Sequence, residues 1–399
     1  MRFAVLKNCA VRIVMTAALV GASAFCAAQL PAASTLSLAP EVPNPSLVDG
    51  LRLPLELIPH LAPPVELFPA PLAQMPPRPV NAPDIVLVLP LDSPDYARAA
   101  EAVRDGFMAA ANAAGARGRV QVIGHTDGTV MQAFDLAISL GALVIAGPLV
   151  CDDLRSVAES GRPLPITLAL NQLDSTEPMP PAIYTLSLSV ENDARVLART
   201  IRNGMIGSVA VIGGEGPLMR RFAGAFTAEW LLAGGTSPQG IPFDPSAEGL
   251  TALRRAIVNS TAEAALIALD GSTAVLARSF APRMRAYTSS LINQPWESAA
   301  LADLEGVVFV DLPWLVKPYD PSLARFPRPA LGNLVLDRLY ALGLDAFQVS
   351  QRFTTGVPQR LELQGATGRI SLGDSRHLSR EGTLAVFRQG IVQPLDAPR

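Results

Sequence analysis

From Asp84 onward the chain alternates short apolar, β-branched runs with amphipathic stretches of helical length, and this alternation restricts the fold more than any other feature. Asp84-Ile-Val-Leu-Val-Leu-Pro90 has the near-continuous pattern of a strand buried on both faces. Ser93-Pro94 then predicts a helix start, with Ser as cap and Pro at the first helical position. The helix is expected over Tyr96–Ala114 and ends at Gly115. The unit recurs: a strand over Arg119–Ile123, a helix over Val130–Leu140, and strands over Ala142–Ala146, Pro165–Leu170 and Ile183–Leu188. A second set follows. Helices are predicted over Asp193–Asn203, Leu218–Leu232, Leu250–Asn259, Thr273–Ala281 and Gly332–Ala341, and strands over Ser208–Ile212, Ala264–Leu269 and Val307–Val310. Strand alternating with helix makes parallel βαβ units with right-handed connections. The strands are too many for one sheet of ordinary size, so two α/β lobes are expected. Arg360–Leu372 reads as strand, Gly-rich turn and strand, and Ala385–Arg388 as another strand; such hairpins suit the edge of a parallel sheet.

The first 83 residues have a different texture. Arg2, Lys7 and Arg12 precede an apolar run over Ile13–Val20 and the small residues Gly21-Ala22-Ser23-Ala24, the pattern of an export signal over residues 1–28. Cleavage is expected after Ala22-Ser23-Ala24 or at Cys26-Ala27-Ala28. Lipidation at Cys26 is the alternative, but Phe25 is bulkier than the residue that lipoprotein signals place there. Residues 29–83 carry PNP, APP, FPAP and MPPRP with no helical period and read as a proline-rich linker. Removing residues 1–28 takes away three cations and no acid, moving the formal charge from −3 to −6. That balance argues against nucleic acid as a partner, because neutralising phosphates requires a basic surface. Only Cys151 then remains, so no intramolecular disulfide forms.

Catalytic patterns are missing. The chain has no GxSxG, HExxH or GxxxxGK[ST]. Gly213-Gly214-Glu215-Gly216 follows a strand, but Met219 stands where a dinucleotide fingerprint needs its third glycine. His60, His125 and His377 are scattered and read as surface residues. Asp152 and Asp153 beside Cys151 would raise its thiol pKa, and they sit where acids serve a first helical turn. No catalytic residue, metal site or cofactor is expected.

Several segments in order carry a resemblance: Ala102-Val-Arg-Asp-Gly-Phe107, Gly147-Pro-Leu149, Ala169-Leu-Asn171, Leu304-Glu-Gly-Val307, Asp311-Leu-Pro-Trp-Leu315, Arg338-Leu-Tyr-Ala-Leu-Gly-Leu-Asp-Ala346 and Gly365-Ala-Thr-Gly-Arg-Ile-Ser-Leu372. Together, over residues 84–390, they resemble the C-terminal domain of the LppC-type penicillin-binding-protein activators. The resemblance implies a type I periplasmic-binding-protein-like α/β fold: two Rossmann-like lobes with a cleft between them and crossing strands. It further implies a non-catalytic regulator, in the periplasm, that contacts a peptidoglycan synthase, the bifunctional penicillin-binding protein. Members can carry an N-terminal helical repeat domain, for which residues 29–83 are too short and too rich in proline. The shared fold leaves a periplasmic solute-binding protein, with a small molecule in the cleft, as the alternative.

On this reading lobe one takes residues 84–187 and 286–360, and lobe two takes 188–285 and 361–399. Ligands of open α/β sheets sit beyond the carboxyl ends of the strands. Ser93, Tyr96, Leu149, Asp152, Asn171, Gln172 and Glu191 are therefore the candidate cleft residues. Leu149-Val-Cys-Asp-Asp153 offers a ligand carboxylate no hydroxyl and two negative charges, so no tight binding of free α-amino acids is expected.

Overall fold

The computed structural model describes residues 78–173, 179–373 and 375–395. The signal, the lipidation question and nearly all of the expected linker lie outside the described residues.

Lobe one begins with β1 (Ile85–Leu89), α1 (Ala97–Ala113), β2 (Val120–Gly124), α2 (Val130–Ser139), β3 (Val144–Ala146), α3 (Cys151–Glu159), β4 (Ile166–Ala169) and β5 (Ile183–Thr185). The strands form one parallel sheet in the order β2-β1-β3-β4-β5. Every residue of β1 is buried. Its two faces divide by the period of two: Val86 and Val88 pack with α2 and α3, and Ile85, Leu87 and Leu89 pack with α1.

The chain leaves this sheet through Leu186–Ser189 and enters α4 (Val190–Asn203), β6 (Val209–Gly213), α5 (Pro217–Leu232), β7 (Gln239–Pro242), α6 (Ala247–Val258), β8 (Ala264–Ala268), α7 (Gly271–Phe280), β9 (Arg285–Thr288), α8 (Ser298–Asp303) and β10 (Val308–Asp311). It then returns to lobe one with α9 (Pro313–Val316), α10 (Leu334–Phe353), β11 (Leu361–Gln364), β12 (Arg369–Leu372) and β13 (Ser379–Glu381). It crosses once more into β14 (Thr383–Arg388) and β15 (Ile391–Pro394). The second sheet runs β15-β14-β10-β9-β8-β6-β7, and β14 and β15 are its antiparallel members. Strands β11 to β13 make a small antiparallel sheet of their own.

Two boundaries expected from the sequence are corrected. Segment 286–311 belongs to lobe two, because β9 and β10 pair in register with β8 and with each other. Segment 361–382 belongs to lobe one: Leu361, Leu363, Ala366, Ile370 and Leu372 join the core around α1 and α10. The crossings therefore fall near residues 187–189, 311–312 and 382, rather than at Ala286-Tyr287 and Glu362.

Helix α10 also runs twelve residues past Ala341, the end expected from the sequence. Gly343 is not a stop; it is where α10 crosses α1. A Cβ there would lie 2.1 Å from the Val103 carbonyl oxygen, and one on Gly106 of α1 would lie 2.0 Å from the Tyr340 carbonyl oxygen. The backbones thus touch, and the alanine-rich face of α1 closes over α10. Phe107 meets Phe347 edge to face at 5.4 Å beside this contact.

Candidate functional site

Three chain crossings meet between the lobes, and buried charge concentrates there. Asp311 ends β10 at the second crossing and takes two hydrogen bonds from Arg338 of α10, at 3.0 and 2.7 Å. Arg338 also donates to the Ser290 carbonyl at 3.0 Å. Asn293 Nδ2 donates to Asp311 at 2.8 Å, and so does the Leu312 N–H. At the first and third crossings Arg380 of β13 meets Asp193 of α4 at 2.6 Å and donates to the Thr367 carbonyl at 3.0 Å. Both members of that pair are buried. Asp345 of α10 accepts from the Ala366 and Thr367 N–H groups, at 2.8 and 2.7 Å, and from the Thr367 hydroxyl at 2.6 Å. Gly382 presses against the second crossing; a Cβ there would lie 2.9 Å from the Asp311 carbonyl oxygen.

Burial pushes the Asp193 carboxyl up to about 6, against the pull of Arg380. It pushes Asp345 up to about 6 as well, against the donors from Thr367 and Ala366. A carboxylate leaves water at high cost unless charge and hydrogen bonds surround it, and here they do so only in part. The two Arg–Asp pairs hold one lobe to the other through groups that are buried, apart from a small exposed part of Arg338.

The residues read from the sequence as cleft candidates surround the carboxyl ends of the lobe-one strands. Ser93 is buried; its Oγ accepts the Tyr96 N–H at 3.4 Å and its carbonyl accepts the Ala97 N–H at 2.9 Å, which opens α1. Asn171 Nδ2 donates to the Leu149 carbonyl at 3.0 Å, and Asn171 Oδ1 accepts the Gln172 N–H at 2.9 Å. Gln172 Oε1 accepts the Ser187 hydroxyl at 3.1 Å, while the Gln172 carbonyl takes the Cys151 thiol at 3.3 Å. Glu191 lies apart from this group. It turns into lobe two, accepting from Ser189 at 2.7 Å and pairing with Arg221 of α5 at 2.5 Å. The amides of Asn171 and Gln172 thus tie loops together.

Tyr96 and Asp152 stand on an acidic rim. Burial raises the Tyr96 phenol, and Asp152, Asp95, Asp127 and Asp153 push it the same way. Asp152 is paired with Arg155 at 2.8 Å. Burial also raises the Asp153 carboxyl, and His125, 3.8 Å away, opposes the rise. His125 is buried, not the surface residue expected; its Nδ1 lies 3.0 Å from the Thr126 carbonyl oxygen, and its Nε2 has no hydrogen-bond partner. Among the described residues no group of three His, Cys, Asp or Glu is placed to hold a metal ion, and no helix is long and apolar enough to cross a membrane.

Sequence reasoning missed the hinge charges because their partners are distant in the chain. A signal was nonetheless present. Asp311 begins DLPWL, Arg338 and Asp345 lie in RLYALGLDAF, and Thr367 lies in GATGRISL. The three most specific motifs of the resemblance meet at this one place, with the Trp314 N–H donating to the Ala366 carbonyl at 3.0 Å.

A family model described as LppC putative lipoprotein matches residues 62–243 and 257–390. The penicillin-binding protein activator LpoA of Klebsiella pneumoniae subsp. pneumoniae is 27% identical over 328 residues, 71% of this chain and 46% of that protein. LpoA of Edwardsiella piscicida is 27% identical over 300 residues, 64% of this chain and 43% of that protein. The chain spans less than half the length of these relatives. Among solved structures, a putative branched-chain amino acid ABC transporter from Chromobacterium violaceum is similar at 31% identity and TM-score 0.66, over 76% of this chain and 99% of that one. The LpoA C-domain from Haemophilus influenzae, a regulator of PBP1A, is similar in fold at 22% identity and TM-score 0.67, over 78% of this chain and 99% of that one.

Proposed function

Because the chain belongs to the LppC family, we propose that it is an envelope protein that activates a peptidoglycan synthase, a bifunctional penicillin-binding protein, by direct contact. The observation that carries this reading is the reach of the family match across both lobes, together with the activator names of its relatives. The site supports it. Polar groups at the carboxyl edge of lobe one are spent on holding loops, and the deepest charges are spent on holding the lobes together. Such a body presents surfaces to a partner and needs no chemistry of its own. Its expected place is the periplasm, reached by export. Adding the purified chain to the synthase of the same envelope should raise glycan polymerisation or peptide cross-linking several-fold. No change in either rate and no binding would refute the proposal.

One observation favours a solute-binding protein as the second reading: the 31% identity to a putative branched-chain amino acid transporter component. The acidic rim opposes it, since a ligand carboxylate would meet Asp152 and Asp153 at the start of α3. Calorimetry with amino acids separates the two readings.

A further inference from the structure

The second sheet has seven strands, and among the described residues two helices, α4 and α5, cover one of its faces. Helix α4 lies over β10 and α5 over β6 and β8. Two helices about 10 Å wide cannot cover seven strands about 4.8 Å apart. The register shows which side chains lie beside the two helices, partly covered by them. Tyr287 of β9 stands opposite Val308 of β10, Val308 opposite Val386 of β14, and Val386 opposite Gln393 of β15, so all four side chains share this face. They line an open groove of about 640 Å³ at the end of lobe two remote from the crossings. Tyr287, Val308 and Leu395 are half-buried, and Ile391 at the hairpin turn is 58% exposed.

Two arginines frame this floor. Arg285 begins β9 and Arg388 ends β14, and both line the groove and are exposed. Neither guanidinium has a hydrogen bond or ion pair among the described residues, whereas Arg199, Arg221, Arg338 and Arg380 each meet a carboxylate. Among the described residues the one acid lining the groove, Glu305, is engaged by the Gln389 N–H at 2.9 Å.

We propose that this groove is the docking site for a segment of the protein partner that carries acidic side chains beside apolar ones. The apolar floor takes the apolar side chains, and Arg285 and Arg388 take the carboxylates. The floor spans four strands, about 14 Å, which is wider than a single small anion and suits a stretch of chain. The proposal rests on the activator reading and gives it an address on lobe two, away from the inter-lobe cleft.

The test uses the mature chain and the purified extracytoplasmic region of the bifunctional synthase, with binding followed by biolayer interferometry at low and high salt. Arg285→Glu/Arg388→Glu should weaken binding at least about ten-fold and remove most of its salt dependence. Arg254→Glu/Arg255→Glu, the same charge change on exposed positions of α6, should bind as the wild type does. Both variants should keep the wild-type melting temperature. A photo-crosslinker at Gln393 should join the chain to the synthase. If the wild type binds and the groove variant binds within two-fold of it, or if both variants weaken alike, the groove assignment is wrong and the activator reading stands. If the wild type neither binds nor stimulates the synthase, the activator reading itself fails and the groove assignment fails with it.

Discussion

Replacing Arg380 with methionine tests how the lobes are held. The Arg380 and Asp193 side chains are only 1% and 7% exposed, and 2.6 Å separates their charged atoms. Removing one partner leaves the other charge buried without compensation, which costs about 3–5 kcal/mol. The Thr367 carbonyl loses its 3.0 Å donor in the same step. At about 2–4 °C per kcal/mol, the melting temperature should fall by roughly 6–20 °C at pH 7.5. The double variant Asp193→Leu/Arg380→Met removes both charges and should recover most of the loss. The pH dependence has a definite sign. Folding raises Asp193 from 3.8 to about 6, so the folded state holds this proton more tightly than the unfolded chain does. Stability from this group is therefore greatest below about pH 4 and falls as pH rises to about 6, by about 3 kcal/mol. Without Arg380 the charged form is disfavoured further, so the penalty of the single variant should be smaller at pH 5 than at pH 7.5. Urea unfolding followed by tryptophan fluorescence at the two pH values measures this. A single variant within about 1 kcal/mol of wild type, or a double variant as unstable as the single one, would refute the reasoning.

Three further outcomes are expected. Gly343→Ala should destabilise by about 1–3 kcal/mol in urea, although alanine alone favours a helix by about 1 kcal/mol, because its Cβ meets the Val103 carbonyl. Asp345→Leu should cost about 2–5 kcal/mol at pH 7 by leaving the Ala366 and Thr367 N–H groups without acceptors, read from the urea midpoint. Calorimetry with the common α-amino acids should show no micromolar binding, since each close carboxylate pair repels by about 1 kcal/mol or more; a clear micromolar isotherm would favour the solute-binding reading.

The βαβ texture of lobe one was legible because burial on both faces leaves a plain mark: Ile85–Leu89 is apolar throughout. Strand β9 carried no such mark. It begins with the exposed Arg285, and its Tyr287 faces the groove, so the segment read as a crossing. The helix expected to end at Ala341 continues to Phe353, and Gly343 lies where it touches α1, a contact that shows only once the second helix is in view. The candidate site was legible only at its edge. Positions beyond strand ends follow from the strands themselves, and Tyr96, Asn171 and Gln172 lie at such positions. Asp193 and Arg380 are 187 residues apart, and no local pattern announces that they will meet.

The contact of α1 with α10 also sets an order of assembly. Lobe one has its sheet in place by Thr185, yet the helix that closes one face of that sheet begins only at Leu334. During synthesis or transit from the amino end, the alanine face of α1 waits for more than two hundred residues to follow. Lobe two draws its helices and five of its seven strands from the continuous stretch between Val190 and Asp311, so its contacts are local by comparison. Long loops must close before distant contacts reward them, which makes the first-made lobe the last to set. A chain ending before Leu334 would keep β1 to β5 and still lack one wall of their core.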